Sequence, residues 1–466
     1  MPARKPQTLG ELKQSGYQVL TVRQELRKNL IDKIRKGETL FPGILGYEDT
    51  VIPHLENAIL AGHDIIMLGE RGQAKTRLIR SLINLLDEEI PVVAGCEIND
   101  NPFEPVCKGC RSQIEQHGDK VAISWLGQGK RYGEKLATPD TTIADLIGEV
   151  DPIKVAEGKY LSDELTIHYG LVPRTNRGIF CINELPDLAE RIQVGLFNIL
   201  EERDVQIRGY KIRLPLDIYV VASANPEDYT SRGRIITPLK DRYGSEIRTH
   251  YPRTLDQEIA IVEQERIKLD DDNFKVVVPR FMQEIIAEFT DLARKSREIN
   301  QRSGVSVRVS IANYETMIGN ALRRSIRLGE KQVVPRISDL PAIIASTMGK
   351  IEVESVDEGK EAQIVDRLLH AAVLNIFSRY FTARDFEGFV AQFSNGLKIE
   401  VSENMKARDY AARVSEIGGL SDKISKLDGD AGAARVASAF EFILEGLHLS
   451  RKLNKDKVAG KSLYRV

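Results

Sequence analysis

A glycine-containing loop between an apolar run and an amphipathic stretch restricts the folds open to this chain. The loop follows apolar residues 65–68 and precedes residues 78–86, whose apolar positions are spaced as on one face of a helix. This order of strand, loop and helix is typical of phosphate binding, because backbone N–H groups and the helix N-terminus converge on an anion. The loop residues are Gly69, Glu70, Arg71, Gly72, Gln73, Ala74, Lys75 and Thr76.

The end of this loop carries the residues expected to contact a nucleotide. Lys75 is expected to reach the β- and γ-phosphates, and Thr76 to bind a Mg²⁺ ion. The sequence departs from the usual pattern GxxxxGK[ST] at Ala74, which stands where the last glycine is expected. A chance near-match in a chain of 466 residues is the alternative, and the strand-to-helix context argues against it.

Two further apolar runs end in polar residues that are expected to face this loop. Residues 178–184 end in Asn183 and Glu184, and residues 217–226 carry Asn225 near their end. Ligands of open α/β sheets bind outside the carboxyl ends of the strands, where these side chains would lie. Glu184 is the candidate base that activates water, and Asn225 is placed to orient the same water. Asn183 can hold a metal-bound water but adds no negative charge; an ordinary helix cap would explain Asn183 alone.

Taken together, these segments resemble the AAA+ ATPases, and within them the branch of the magnesium chelatase ATPase subunit and the MoxR proteins. An alanine often precedes the loop lysine in that branch, as Ala74 does here. The residues 170–178 lead into the second apolar run much as they do in the chelatase subunits. The resemblance extends from about Phe41 to Lys350.

The resemblance implies roles for three further side chains. Asn225 corresponds to sensor 1, Arg242 to the arginine finger and Arg308 to sensor 2. Arg232 and Arg234 are rival candidates for the finger. A finger acts on the nucleotide of a neighbouring subunit, so the resemblance also implies a homo-oligomeric ring, expected to contain six subunits.

The same resemblance implies the fold, the ligands and the partner. The expected fold is α/β, an AAA+ P-loop core with a parallel sheet, followed by a helical lid and a further helical C-terminal region. The implied ligands are ATP and Mg²⁺, with Ile44 and Tyr47 against the adenine; packing in the first turn of the core explains these two residues equally well. In chelatase and MoxR systems the partner is commonly a protein with a von Willebrand factor A domain.

A chain of 466 residues is expected to form more than one domain. Residues 1–39 are interpreted as an N-terminal helical extension and residues 40–251 as the nucleotide-binding core. Residues 252–350 are interpreted as the helical lid, and residues 351–466 as a C-terminal helical region.

Composition agrees with a large cytoplasmic protein without a membrane span. The formal net charge of −2 gives no overall electrostatic attraction for nucleic acid, so a nucleic-acid partner is not expected. No apolar run approaches the ~20 residues of a membrane-spanning helix, and the first residues lack the apolar centre of a secretory signal. Four cysteines in so long a chain indicate a reducing compartment rather than a disulfide scaffold.

Two insertions extend the expected core. By resemblance, residues 138–175 form a helix-2 insert that projects towards the pore of the ring. Residues 204–214 alternate apolar and polar side chains around a turn, which predicts a β-hairpin before the strand of Asn225. The charged face of this hairpin is either an ordinary solvated surface or a pore element that grips a partner.

A Cys-x-x-Cys pair, Cys107 and Cys110, has the spacing of a metal knuckle. Cys96 and His117 lie close enough in sequence to complete a tetrahedral zinc site, and Asp100 or Glu104 could serve instead. The gap between Cys96 and Cys107 is not a standard finger spacing, so a reduced, metal-free loop is the favoured interpretation and zinc the alternative.

The sequence thus predicts a Mg²⁺-dependent ATPase that forms a ring and remodels or activates a protein partner. Two other classes compete with this prediction. A nucleotide-switched scaffold that barely hydrolyses ATP is suggested by the neutral Asn183. A DNA-translocating motor is suggested by hairpins in related helicases, and the near-neutral net charge argues against it.

Overall fold

The computed structural model divides the chain into two compact units, Met1–His250 and Tyr251–Val466. The four-part division expected from the sequence stays a prediction. The structure describes only part of each unit, and the side chains of Gln206, Asp428 and Val458 are not described. The described residues are 5–151, 153, 156, 164–206, 213–225, 233–268, 273–301, 304–353, 360–428, 432–458 and 461–466.

A five-stranded parallel sheet forms the centre of the first unit. Its strands, in chain order, are β1 Ile65–Leu68, β2 Tyr132–Leu136, β3 Gly178–Asn183, β4 Ile218–Ala224 and β5 Ser245–Arg248. Their spatial order is β5-β1-β4-β3-β2, and all neighbouring pairs run parallel. The expected α/β class with a parallel sheet is confirmed. The carboxyl ends of β1, β3 and β4 therefore lie side by side.

Both faces of this sheet are covered, which explains why its central strands are apolar throughout. Along β1, Ile66 and Leu68 enter one hydrophobic cluster, whereas Ile65 and Met67 enter another on the opposite face. The strands β3 and β4 divide their side chains between the same two clusters. This burial on both sides fixes the register of the strands, and with it the position of the residues that follow them.

The first unit contains short and medium helices around the sheet. Within residues 1–39, which were interpreted as a helical extension, the helix Val22–Lys36 begins at a capping box of Thr21 and Gln24. Its Leu26 and Leu30 belong to one of the two clusters that cover the sheet. The α-helices are Leu9–Gln14, Val22–Lys36, Val51–Ala61, Lys75–Ser81, Lys108–His117, Ile143–Leu146, Leu171–Arg174, Glu190–Gly195, Phe197–Glu201 and Thr237–Lys240.

Among the described residues of this unit, three antiparallel strand pairs lie outside the central sheet. Glu89–Val93 pairs with Ile123–Gly127, and Gly148–Val150 pairs with Ile167–Tyr169. The predicted hairpin is confirmed by the pairing of Asp204–Gln206 with Arg213–Pro215, and its tip, residues 207–212, lies outside the described residues. Within the expected insert at 138–175, residues 152, 154–155 and 157–163 also lie outside the described residues.

The second unit is mainly helical, as expected, around one hydrophobic core. That core contains residues from both the expected lid and the expected C-terminal region; for example, the rings of Phe281 and Phe442 stack with centroids 4.6 Å apart. A small antiparallel sheet consists of Ile399–Ser402, Asn454–Val458 and Lys461–Arg465. The α-helices are Leu255–Glu265, Arg280–Lys295, Val307–Leu328, Ile343–Met348, Lys360–Tyr380, Glu387–Ser394, Ala407–Glu416, Ser421–Asp428 and Ala433–Leu449.

Across the described part of both units, no helix combines the length and the apolar character that crossing a membrane requires.

Candidate functional site

The loop between β1 and the helix Lys75–Ser81 has the backbone of a tight anion-binding turn. Gly72 and Ala74 have φ values of +77° and +55°, in the left-handed region. Ala74 thus adopts, at some cost in strain, a conformation that the usual motif assigns to glycine. At position 69 only glycine fits, because a Cβ atom there would lie 1.8 Å from the hydroxyl of Thr249.

Side chains beneath the loop hold it in this shape. The Gln73 Oε1 atom accepts hydrogen bonds from the Glu70 N–H (3.0 Å) and the Thr249 hydroxyl (2.7 Å). The buried Tyr47 hydroxyl donates towards the carbonyl oxygens of Gln73 and His250, at 2.9 and 2.8 Å. Burial raises the pKa of Tyr47 to about 12, so it remains a donor at neutral pH. The loop is therefore organised before any ligand binds.

Ile44 and Tyr47, which were expected against an adenine, are both buried in a cluster beside the sheet. Tyr47 contacts the phosphate-loop backbone through the hydrogen bond to Gln73. Packing of the core is thus one role of both residues, and the adenine contact stays a prediction.

The structure brings together three of the expected catalytic or phosphate-binding side chains. The buried Lys75 ammonium donates to the carbonyl oxygens of Gly69 and Glu70 and to Asn225 Oδ1, the last at 2.8 Å. Asn225 Nδ2 in turn donates to Glu184 Oε2 at 3.2 Å. Lys75, Asn225 and Glu184 therefore form a continuous hydrogen-bonded chain across the ends of β1, β4 and β3.

Glu184 is held in an unusual backbone conformation at the end of β3. Its φ of +53° lies in the left-handed region, which is rare for residues other than glycine and costs of order 1–3 kcal/mol. Its backbone N–H donates to the Ser223 hydroxyl at 3.3 Å. The strained turn aims the half-buried carboxylate towards Asn225.

Asn183 lies next to Glu184, and its side chain is buried between neighbouring strands. Its Oδ1 atom accepts from the Ser223 hydroxyl at 3.1 Å and from the Cys181 thiol at 3.4 Å. Its Nδ2 atom donates to Glu134 Oε1 at 2.5 Å. Because an ionised carboxylate only accepts hydrogen bonds, this contact fixes the orientation of the Asn183 amide. The four residues Lys75, Asn183, Glu184 and Asn225 are referred to as the strand-end group.

Glu134 of β2 is a site residue that the sequence did not indicate. The exposed Arg80 guanidinium donates to both of its carboxylate oxygens, at 2.9 and 3.0 Å. This pairing holds the pKa of Glu134 below its ordinary value, so the group is ionised at neutral pH. A negative charge therefore lies directly against the amide that occupies the usual aspartate position.

No family model matches the chain. It is 24% identical to the magnesium-chelatase subunit ChlI-1, chloroplastic, of Arabidopsis thaliana over 340 residues, or 68% of this chain and 76% of that protein. It is also 24% identical to the magnesium-chelatase subunit ChlI of Nephroselmis olivacea over 351 residues, or 70% of this chain and 93% of that protein. A structure of the complex between subunits BchI and BchD of magnesium chelatase matches at 18% identity and a TM-score of 0.36, covering 71% of this chain and 98% of that chain.

The chain is related in sequence to the magnesium-chelatase subunits. The phosphate loop, the strand-end group and the sequence relatives agree on this point, and the resemblance inferred from the sequence is confirmed. The roles of the individual side chains in this ATPase stay predictions.

The arginine-finger candidates of this ATPase differ in how firmly they are held. The Arg242 guanidinium pairs with Glu201 at 2.6 Å, donates to the Pro238 carbonyl at 2.6 Å and lies 4.4 Å from the centre of the Phe197 ring. Arg234 is exposed and makes an ion pair with Glu190 at 3.3 Å. Arg232 lies outside the described residues.

Two other expected residues of the ATPase are not part of the strand-end group. Thr76 is half-buried at the second position of the helix Lys75–Ser81, directly after Lys75. Arg308, the sensor 2 candidate, is an exposed residue in the first turn of the helix Val307–Leu328 of the second unit.

The cysteines of the expected metal knuckle lie beside Asp100 and not beside His117. The ligand atoms of the four residues of this cysteine cluster all lie within 4.8 Å of one another. His117 is exposed at the far end of the helix Lys108–His117, about two turns beyond Cys110, and is not part of the group. The members of the cysteine cluster are Cys96, Asp100, Cys107 and Cys110.

Proposed function

We propose that this AAA+ ATPase acts as a ring, in which ATP hydrolysis at the strand-end group remodels or activates a protein partner. The observation that carries the catalytic part is the hydrogen-bonded chain from Lys75 through Asn225 to Glu184. It joins a cationic phosphate anchor, an amide and a carboxylate base, which are three of the groups that phosphoryl transfer to water uses.

Each member of this chain has a distinct task in the proposed reaction. Lys75 exchanges its contacts with the loop carbonyls for contacts with the β- and γ-phosphates, because its ammonium pairs more strongly with an anion. Glu184 accepts a proton from the attacking water, and the Asn225 amide orients that water against the γ-phosphate. The present contacts hold both side chains within reach of one another before the nucleotide arrives.

The residues around Asn183 suit a Mg²⁺ ion if Glu134 of β2 supplies a negative charge. Bound Mg²⁺ would neutralise charge on the β- and γ-phosphates. Thr76 and Asn183 offer neutral oxygen atoms, and the ionised Glu134 adds the negative charge that Asn183 lacks. We therefore propose that Glu134 and Asn183 together replace the single aspartate that usually follows this strand.

The proposal of a ring depends on a catalytic group that a subunit does not supply to its own nucleotide. An arginine from a neighbouring subunit is proposed to stabilise the charge on the transferring phosphoryl group, and Arg242 is the candidate. The relatives carry the name of magnesium-chelatase subunits, which supports an assembly with partner proteins. A homo-hexamer and a partner with a von Willebrand factor A domain are the proposed forms, in the cytoplasm.

The shared active site is tested by mixing two inactive variants. Arg242→Ala lacks the proposed finger, and Glu184→Gln lacks the proposed base, so each alone should lose most ATPase activity. In mixed rings, a Glu184→Gln subunit can lend its intact Arg242 to a neighbour whose own Glu184 is intact, and part of the activity should return. Arg234→Ala is the matched variant, because it removes the other described finger candidate.

The outcome of the mixing experiment separates the candidates. Restored activity with Arg242→Ala, together with near-normal activity of Arg234→Ala alone, supports Arg242 as the finger. Restored activity only in mixtures with Arg234→Ala would move the finger to Arg234. No restoration in either mixture, while mixed rings form, would contradict a shared active site.

A hydrolysis-poor scaffold is the second candidate, and the state of Asn183 favours it. Both polar ends of its amide are already engaged by neighbouring side chains. Single-turnover ATPase measurements over a range of Mg²⁺ concentrations distinguish the two candidates. Turnover that stays at background at every Mg²⁺ concentration, with nucleotide bound, would favour the scaffold.

A further inference from the structure

The cysteine cluster is a second polar centre of the first unit, and the ATPase reaction does not use it. Asp100, Cys107 and Cys110 are buried, and Cys96 is partly exposed. We propose that the cysteine cluster binds one structural zinc ion through all four of its side chains.

The spacing of the ligand atoms is close to that of a tetrahedral site. Zinc binds thiolate sulfur at about 2.3 Å and carboxylate oxygen at about 2.0–2.2 Å, so the ligand atoms of a tetrahedral site lie about 3.5–3.8 Å apart. The four ligand atoms of the cysteine cluster lie within 4.8 Å of one another. Side-chain rotations that move the ligand atoms by less than about 1 Å would therefore complete the coordination.

The Asp100 carboxylate is asymmetric in a way that points to a missing cation. Its Oδ2 atom accepts backbone hydrogen bonds from Val106 at 3.1 Å and Cys107 at 2.9 Å. Its Oδ1 atom is buried and has no hydrogen-bond donor among the described residues. Leaving a buried carboxyl oxygen without a hydrogen-bond partner costs about 1–3 kcal/mol, and a metal ion removes that cost.

Backbone groups around the sulfur atoms favour the thiolate form that a metal requires. The Cys110 N–H points at the Cys107 sulfur at 3.3 Å, and the Asp100 N–H points at the Cys96 sulfur at 3.4 Å. Such N–H···S contacts are the outer-shell partners that orient and stabilise metal-binding thiolates. Each arises from the local chain geometry, because donor and acceptor are three or four residues apart.

The donor set selects zinc among the common metal ions. Thiolates exclude Mg²⁺ and Ca²⁺, which prefer oxygen ligands, and iron–sulfur clusters are held mainly by cysteines. Three sulfur atoms and one carboxylate oxygen suit the four-coordinate geometry of zinc. Because the protein supplies all four ligands, the site leaves no position for a substrate, and its role is structural.

The site would fasten a segment whose own core is small. The apolar side chains around the cluster are few, among them Leu9, Val93 and Ile98. From this segment, the Asn99 amide donates to the Arg174 carbonyl at 2.8 Å, and the Asn176 amide donates back to the Ile98 carbonyl at 3.0 Å. A zinc ion here thus supports the residues that lead into β3, the strand of Asn183 and Glu184.

Metal content and cobalt spectroscopy of the full chain test this proposal. Untagged protein purified without chelators should contain about one zinc ion per chain by mass spectrometry of the metal. After zinc removal under reducing conditions, Co²⁺ should give the absorption of a tetrahedral site with thiolate-to-cobalt charge transfer. Cys110→Ser and Asp100→Asn should each lose most of the bound zinc.

His117→Ala is the matched control, because it removes the other candidate ligand without touching the cluster. It should keep its zinc and an unchanged cobalt spectrum. If the cluster variants do not fold, the metal content and cobalt spectrum of the parent chain decide the question. A parent chain without zinc and without the cobalt spectrum, or a loss of zinc in His117→Ala equal to that in Cys110→Ser, would overturn the assignment.

Discussion

The strand-end group and the cysteine cluster differ in whether their buried polar atoms have hydrogen-bond partners. In the strand-end group, Lys75 donates to loop carbonyls and to Asn225, and both ends of the Asn183 amide have partners. In the cysteine cluster, Asp100 Oδ1 is buried and has no donor among the described residues. One centre is complete without a ligand, and the other is not.

This difference matches two kinds of ligand. A nucleotide that binds and leaves in every cycle requires a site that stays folded when empty, and the internal hydrogen bonds of the strand-end group meet that need. A resident metal ion is part of the folded structure, so its ligands need no other partners. The predictions below test whether the two centres behave in these two ways.

The largest effects are expected within the strand-end group. Lys75→Ala should weaken nucleotide binding by about 10- to 100-fold or more, because it removes charge-assisted hydrogen bonds to phosphate. Glu184→Gln should leave the affinity nearly unchanged and reduce turnover by about 10²–10⁴-fold, because only the activation of water is lost. Binding of a fluorescent ATP analogue and steady-state ATPase rates measure the two effects separately.

Arg77→Ala is a suitable control for these variants. It removes an exposed positive charge from the same helix and should change neither binding nor turnover strongly. Parent-like turnover of Glu184→Gln would remove Glu184 from the role of base, and parent-like binding of Lys75→Ala would show that the loop does not anchor phosphate through this lysine.

Removal of zinc should destabilise the first unit. If zinc is part of the fold, the melting temperature of the first unit should rise with free Zn²⁺, and a concentration 1,000 times the dissociation constant corresponds to about 4 kcal/mol. Cys110→Ser should abolish this dependence, and His117→Ala should preserve it. Thermal unfolding at buffered Zn²⁺ concentrations, at constant Mg²⁺, measures the effect. A melting temperature of the parent chain that does not depend on zinc would contradict a structural zinc ion in the cysteine cluster.

Asn183→Asp tests the proposed sharing of charge at the magnesium site. The new carboxylate would lie in the position of the amide that now donates to Glu134 at 2.5 Å. Without Mg²⁺, two facing carboxylates should destabilise the protein by roughly 1–3 kcal/mol. With Mg²⁺ the loss should be recovered, and the Mg²⁺ concentration for half-maximal ATPase activity should fall, because a charged oxygen now faces the ion.

The matched control is the double variant Asn183→Asp, Glu134→Gln, which exchanges the amide and the carboxylate. It keeps the hydrogen bond with its direction reversed, so the stability without Mg²⁺ should return to that of the parent. Unfolding in denaturant with and without Mg²⁺, together with ATPase titrations, provides the comparison. A single variant with unchanged stability and unchanged Mg²⁺ dependence would show that Glu134 does not act on this position.

The sequence predicted the strand-end group better than it predicted the residues around it. Lys75, Glu184 and Asn225 follow strands, and the rule that the carboxyl ends of parallel strands share one edge places them together. Glu134 was missed because its neighbour Asn183 lies 49 positions later in the chain, and only the order of strands in the sheet brings the two together.

The fourth ligand of the cysteine cluster could not be predicted from the sequence either, although its candidates lie close together in the chain. Spacing alone allowed His117, Asp100 or Glu104 as the fourth ligand. His117 lies seven positions after Cys110 in the same helix, a rise of about 10 Å that carries His117 away from the sulfur atoms. The turn before that helix folds Asp100 back, so that its carboxylate accepts the Cys107 N–H. Helix length and turn geometry, and not the spacing of metal-binding residue types, decide the ligand set.

The smallest expected effect concerns Ala74, where the phosphate loop departs from the usual glycine. At a φ of +55°, alanine is strained by about 1–2 kcal/mol relative to glycine. Glycine recovers that strain but adds about 0.4–1 kcal/mol of conformational entropy to the unfolded chain. Ala74→Gly should therefore stabilise the protein by only ~0.5 kcal/mol, with nucleotide affinity nearly unchanged because the loop already has the required shape.

Ala189→Gly provides the comparison, since Ala189 has an ordinary φ of −54°, so glycine there relieves no backbone strain and adds freedom to the unfolded chain. Denaturant unfolding of the two variants beside the parent should show opposite signs, a small gain for Ala74→Gly and a small loss for Ala189→Gly. A loss of stability at both positions would mean that Ala74 is not strained in the loop. The shape of the loop would then be set by the contacts of Gln73 and Thr249, and not by the residue before Lys75.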